Sequence, residues 1–317
     1  MSMKLRTLGR SGLKVSVIGL GLNNLGDRID DNAAKDVVHT ALDVGINFFD
    51  TADHYGKQGG SERLIGQLLG ARRKDVVLAT KFGLQMDEKG WLHGTSRRYI
   101  MSAVEASLKR LNTDYIDLYY LHRPDGVTPI EESLRALDDL VRQGKVRYIA
   151  CSNVPAWGVM DAHWTAKTNS LNPFIAAQDE LSLVVRDAEK ELMPALEACN
   201  MGLVPYFPLA SGLLTGKYRR GVPPPAGTRM AKIPRFADRY MTDRNMVIAE
   251  GLQGWAEGRG KSLVDLAFAW LLAKRPVASV IAGASSGAQV KTNIKAAEWE
   301  LTPAEVAEVD KIAQGNT

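Results

Sequence analysis

Eight short apolar runs recur along the chain, most of them separated by an amphipathic stretch, and this rhythm limits the available folds more than any other feature. The runs are "VSVIGLG" from Val15, "INFFD" from Ile46, "VVLATK" from Val76, "IDLYYLH" from Ile116, "VRYIACS" from Val146, "FIAAQ" from Phe174, "GLVPYF" from Gly202 and "VASVIAG" from Val277. They lack polar alternation, as strands do when both faces of a parallel sheet are covered. Between them, "NAAKDVVHTALDVG", "SRRYIMSAVEASLKRLN", "PIEESLRALDDLVRQG" and "EKELMPALEACN" read as helices, several with an acidic, Ser, Asn or Pro start and a Gly or Asn stop. An interval of about 30 residues is one strand–helix unit. The pattern therefore predicts an α/β fold of one domain, residues 1–317, in which eight units close into a (β/α)8 TIM barrel.

Three segments fall outside the rhythm. The gap from Phe207 to Val277 holds "YRRGVPPPAGTRMAKIPRFADRY" and then a helical pattern around "DRNMVIAEGLQGWAEGRG". A long loop at this position, after the seventh strand, is expected to be a functional lid. The opening "LRTLGRSGLKVS" reads as a β-hairpin plugging the barrel floor, and "LTPAEVAEVDKIA" as a C-terminal helix capped by Thr302 with Pro303 at its first position.

Composition narrows the functional classes. A net charge of +4 is spread without blocks of one sign, which gives no footprint for nucleic acid. Cys151 and Cys199 lack CxxC or Cys/His spacing, so neither a metal site nor a disulfide framework is expected. The first residues lack the apolar core of a signal peptide and "LVDLAFAWLLA" is too short to span a bilayer, so a cytoplasmic protein without membrane contact is expected. "GLGLNNLG" approaches the dinucleotide fingerprint GxGxxG, but its spacing fails at Asn24.

In a barrel of this kind the reacting groups gather at the carboxyl ends of the strands. The second run ends in Asp50 with Tyr55 on its loop, the third carries Lys81, and the fourth ends in His122. Each alone has a structural explanation: a turn cap, a rim charge, a half-buried imidazole, a packed ring. Together they describe a proton relay. A phenol titrates near pH 10, and a close ammonium would favour its anion and lower that value. Asp50 would keep Lys81 charged and oriented, and His122 would hydrogen-bond a bound carbonyl oxygen. The alternative use of Lys81, as a Schiff-base nucleophile, remains open on these residues alone.

"DTADHYG", "ATKFG", "LHRPD", "CSN", "AAQDELS" and "PYFPLASGLLTGKY", in this order and spacing, make the chain resemble the aldo-keto reductases over essentially its whole length. The resemblance implies a (β/α)8 barrel that reduces an aldehyde or ketone, or oxidises the alcohol, with NADP(H) or less often NAD(H), and a tetrad of Asp50, Tyr55, Lys81 and His122. It assigns Ser152, Asn153 and Gln178 to the nicotinamide carboxamide, Tyr206 to the ring face, and Ser211 to Gly216 ("SGLLTG", with Gly212 and Leu214) to the pyrophosphate. Phe207, Leu209 and Lys217 extend that cofactor segment, and Gly283, Ser285, Gln289 and Asn293 mark the adenosine end. Relatives that prefer NADPH offer Lys or Arg there. Ser285, Ser286 and Gln289 bring no cation, which leaves NAD(H) or dual use open. Leu22, Asn23, His54, Trp91 and Phe207 are the candidates for contact with a small carbonyl or alcohol substrate. Because some relatives accompany potassium channels, a nucleotide-sensing regulatory subunit is the alternative function. No residue encodes the oligomeric state.

Overall fold

A computed structural model describes residues 3–315. Two short antiparallel strands, β1 (Leu5–Thr7) and β2 (Lys14–Ser16), precede eight parallel ones. The eight are β3 (Ile18–Gly21), β4 (Phe48–Asp50), β5 (Val77–Phe82), β6 (Ile116–Leu121), β7 (Val146–Ser152), β8 (Ala176–Gln178), β9 (Gly202–Leu203) and β10 (Val280–Gly283). They lie in the order β10-β3-β4-β5-β6-β7-β8-β9. The ring closes where Leu203 bridges Val277 and the Ile281 N–H donates to the Pro205 carbonyl at 2.9 Å. This is the expected (β/α)8 barrel.

The helices are α1 (Asp31–Asp43), α2 (Tyr55–Leu69), α3 (Arg97–Leu111), α4 (Ile130–Arg142), α5 (Ala156–Thr168), α6 (Leu192–Ala198), α7 (Arg229–Lys232), α8 (Pro234–Tyr240), α9 (Asp243–Glu257), α10 (Leu263–Ala273), α11 (Gly287–Ala296) and α12 (Pro303–Ala313). Their starts are set by capping side chains: Asp30 accepts from the Ala33 N–H, Ser96 from Tyr99, and Thr302 shares a capping box with Glu305. Among the described residues no helix is long and apolar enough to cross a membrane.

The first apolar run is not one strand. Its opening residues belong to the hairpin, and the barrel strand begins at Ile18. Side-chain bonds divide it: the Ser16 N–H donates to Asn47 Oδ1 at 2.6 Å and the Ser16 hydroxyl to the Ile18 carbonyl at 2.7 Å. The seventh run likewise contracts to two residues, with the Val204 and Tyr206 N–H groups still donating to the Ala177 and Asp179 carbonyls at 2.9 and 3.0 Å beyond it.

Leu8 and Val15, both fully buried, bring the hairpin into the barrel interior beside Phe48, Leu118 and Tyr120. The floor is thereby closed, as expected. Gly9 makes the approach possible at φ +55°, because a Cβ there would lie 2.1 Å from the Ile175 carbonyl oxygen.

The long insert after β9 contains a 3₁₀ turn (Ala210–Thr215) and the short helices α7 and α8. It is tied to the barrel mouth at two points. Arg229 Nη2 donates to Asn24 Oδ1 at 3.1 Å, and Tyr240 Oη donates to the buried Glu180 at 2.6 Å.

Candidate active site

Asp50 ends β4, Lys81 lies in β5, His122 follows β6 and Tyr55 opens α2. The structure brings all four together. Lys81 Nζ donates to Asp50 Oδ2 at 2.6 Å and to the Thr51 carbonyl at 2.8 Å, and it stands 3.5 Å from Tyr55 Oη. The Tyr55 and His122 rings meet edge to face with centroids 5.8 Å apart. Lys81 is fully enclosed and Asp50 nearly so, whereas Tyr55 is half-buried with its hydroxyl at the deep end.

The electrostatics differ from the sequence expectation in one respect. Burial raises the Tyr55 phenol above its ordinary value of 10.0, and the Lys81 charge offsets that only in part. The phenol is therefore a protonated donor throughout the neutral range. Lys81 loses hydration by burial, yet Asp50, with a smaller share from Tyr55, more than offsets that loss and raises its pKa, so it stays an ammonium. Burial and the Lys81 charge hold His122 well below 6.5, leaving a neutral imidazole. Its Nδ1 is buried without a partner, which favours the tautomer carrying the proton on Nε2.

Tyr55 is delivered by an unusual turn. Gly56, Lys57, Gln58 and Gly59 all have positive φ, a left-handed turn before α2 becomes regular. At Gly56 a Cβ would lie 2.5 Å from the Ser61 nitrogen and 2.6 Å from the Leu25 carbonyl oxygen. Glycine is needed there both for the backbone and for the space.

The residues expected to hold the cofactor line the same mouth. Ser152 and Gln178 face each other across β7 and β8. Asn153 Nδ2 donates to the His122 carbonyl at 3.1 Å and to Ser152 Oγ at 2.9 Å, and its Oδ1 accepts from Tyr206 Oη at 2.8 Å. Half-buried Phe207 packs edge to face on Tyr206 with centroids 5.3 Å apart, and Leu209 is also half-buried. Ala210, Ser211 and Gly212 follow one another at positive φ, the Ala210 N–H being taken by the Phe207 carbonyl at 2.9 Å, and the buried Ser211 hydroxyl has no hydrogen-bond partner among the described residues. That orphaned donor beside Gly212 fits a phosphate-bearing group. Two further amides depart from the expectation, since Gly212 and Leu214 turn their N–H groups inward to the Leu209 carbonyl. Leu214 is buried, and Gly216 and the exposed Lys217 continue the segment.

At the far end Gly283, Ser285 and Gln289 are exposed and Asn293 is buried. Gln289 Oε1 accepts from the Ser285 N–H and hydroxyl at 2.9 and 3.2 Å. The Gly287 N–H, at the start of α11, is taken by Asp36 at 2.6 Å.

Among the substrate candidates, His54 is exposed with Nδ1 3.0 Å from the Gln85 carbonyl, and Trp91 is 78% exposed on a loop whose Asp87 holds the Trp91 and Leu92 N–H groups. Asn23 is half-buried. Leu22 is fully buried in the core, with no surface from which to meet a substrate in this conformation.

Sequence reasoning missed Thr51, whose carbonyl fixes Lys81, and a buried group of Asp53, Glu62, Tyr99 and Arg110 behind the Tyr55 turn. Asp53 falls within "DTADHYG" and Glu62 shortly after it; their burial, not their spacing, marks them.

Comparison with known proteins agrees with this geometry. The family model described as "Aldo/keto reductase family", whose members generally use NAD(P)H, matches residues 17–314. A probable voltage-gated potassium channel subunit beta of Arabidopsis thaliana is 36% identical over 98% of this chain and 97% of its own length. The uncharacterized oxidoreductase YrpG of Bacillus subtilis is 37% identical over 94% of the chain and 92% of its length. The L-glyceraldehyde 3-phosphate reductase of Escherichia coli K12 is 32% identical over 99% and 93% respectively. With the closed barrel and the four converging side chains, these matches establish that the chain belongs to the aldo/keto reductase family.

Proposed function

We propose that the protein is an NAD(P)(H)-dependent oxidoreductase that interconverts a carbonyl compound and its alcohol, with Tyr55 as general acid and base. The observation that carries this reading is the buried line Asp50–Lys81–Tyr55, at 2.6 and 3.5 Å, beside a neutral His122. Such a line costs desolvation that packing alone does not recover. In reduction, Tyr55 donates its proton to the carbonyl oxygen and the Lys81 ammonium stabilises the phenolate left behind. Asp50 keeps that ammonium charged and aimed. His122 donates from its protonated ring nitrogen to the same oxygen and orients it. Ser152, Asn153, Gln178, Tyr206 and the Ser211 hydroxyl would hold the dinucleotide, which when bound supplies or accepts the hydride.

A Schiff-base role for Lys81 is disfavoured, because that chemistry needs a neutral amine and the Asp50 contact favours the charged form. Tyr55→Phe is expected to abolish turnover of a panel of aldehydes and ketones while dinucleotide affinity stays within a few fold. Retained turnover would remove Tyr55 from the proton-transfer role. The relative named as a potassium channel subunit supports a second reading, a nucleotide-sensing regulatory protein. Failure of bound reduced cofactor to be oxidised by any carbonyl in a single-turnover assay would favour it.

A further inference from the structure

The turn that delivers Tyr55 is flanked by two buried acids, Asp53 before it and Glu62 after it, with relative exposures of 1% and 0%. The surroundings treat them differently. Glu62 is fully served: Thr80 Oγ1 donates to Oε1 at 2.5 Å and Arg110 Nε to Oε2 at 2.6 Å. Asp53 has Tyr99 Oη at 3.4 Å from Oδ2, while its Oδ1 is buried with no partner among the described residues. Arg110 passes against Gly59, where a Cβ would come within 2.5 Å of its Cδ, and its guanidinium is held by Glu62 and by Ser107 Oγ, to which Nη2 donates at 3.1 Å.

The groups facing Asp53 are Glu62 on α2, Tyr99 and Arg110 on α3, and Tyr119 on β6, whose hydroxyl is also buried without a partner among the described residues. Among the described residues the cation acting on Asp53 is Arg110, and it is committed to Glu62. An ionised Asp53 would be an unpaired buried charge beside another anion, which is costly.

We propose that Asp53 is a neutral, proton-carrying positioning residue whose ionisation repels Glu62, loosens the left-handed Tyr55 turn and so sets the alkaline limit of activity. Burial and the Glu62 charge push the Asp53 carboxyl up to about 8, against the smaller opposing effects of Arg110, the His54 N–H and Tyr99. The Asp53 N–H, bonded to the Lys81 carbonyl at 3.1 Å, links this pocket directly to the strand that carries the ammonium. The catalytic part of the proposal rests on Tyr55 acting in the reaction; the proton on Asp53 does not.

The test separates the two. In the wild-type protein, infrared difference spectra across a pH titration should show a protonated-carboxyl band at neutral pH that fades near pH 8 and is missing in Asp53→Asn. No such band in the wild type, or one that persists in the variant, overturns the proton assignment whatever the enzyme does. Asp53→Asn, a neutral isostere, should keep kcat/KM within about threefold at neutral pH. It should also remove the alkaline limb, whereas the wild type falls by about tenfold per pH unit beyond it. A limb unchanged in Asp53→Asn overturns the positioning role while leaving the Tyr55 reading intact. Should the variant fold poorly, Tyr99→Phe, which removes the contact to Oδ2, should shift the wild-type band, and an unmoved band counts against the assignment.

Discussion

Gln178 donates from Nε2 to Asp50 Oδ1 at 2.9 Å, while Lys81 holds the other oxygen of the same carboxylate. A residue expected to hold the nicotinamide carboxamide is thus joined to the proton relay through one shared acid. Gln178→Leu would leave Asp50 Oδ1 buried and unsatisfied, at a cost of about 1–3 kcal/mol. Dinucleotide affinity and turnover at saturating cofactor should both fall, measured by fluorescence titration and steady-state assay. Loss of affinity with turnover intact would uncouple the two sites.

Asp50 and Lys81 form a pair with almost no exposure to water. Removing one partner strands the other charge, so Asp50→Asn is expected to destabilise the fold by about 3–5 kcal/mol. The double variant Asp50→Asn with Lys81→Met removes both charges and should recover much of that stability in urea unfolding, yet stay inactive. Recovery of turnover in the double variant would deny the ammonium a catalytic role.

The pH profile follows from the directions of three shifts. His122 lies well below 6.5, so its stabilising contribution is complete above 6.5 and is lost as the pH falls through the lowered value. Its neutral form is also the working one, and reductive kcat/KM should show no acid limb at the pH of an ordinary imidazole. Tyr55 lies above 10.0, so donation by the phenol persists until strongly alkaline conditions. Asp53 has a raised value, so its contribution to stability is complete below the unfolded carboxyl range and is lost as pH rises through about 8. Asp53→Asn should flatten the wild-type decline of unfolding free energy between the unfolded carboxyl value of 3.8 and about 8.

How far the sequence discloses this site depends on the range of the interaction. The strands were legible because barrel burial on both faces leaves unbroken apolar runs, as in "VVLATK" and "IDLYYLH". The convergence of the four side chains was legible because Asp50, Lys81 and His122 each stand at or beside a strand's carboxyl end. The break at Val17 was not, since it depends on Ser16 bonding Asn47 from another unit. Nor was the sign of the Tyr55 shift, because the ammonium is visible in the sequence and the depth of burial is not. Asn24 and Arg229 are 205 residues apart, and neither residue announces the other.

The adenosine end makes the last test. Ser285 and Gln289 bond each other, and Asp36 occupies the first N–H of α11, so this corner offers hydroxyl and amide groups beside a carboxylate. A 2′-phosphate carries nearly two negative charges, which hydroxyls can bond but not neutralise. The wild type is therefore expected to bind NADH and NADPH with dissociation constants less than about tenfold apart, a gap of 1.4 kcal/mol. Ser285→Arg would add a charge-assisted, bidentate partner, and such bonds contribute about 1.5–3 kcal/mol. NADPH affinity should rise by about tenfold or more while NADH affinity changes little, and the gain should shrink as salt is added. Equal gains for both dinucleotides would mean that Ser285 faces the shared part of the cofactor, and the corner beside Asp36 would then lose its place as the site of discrimination.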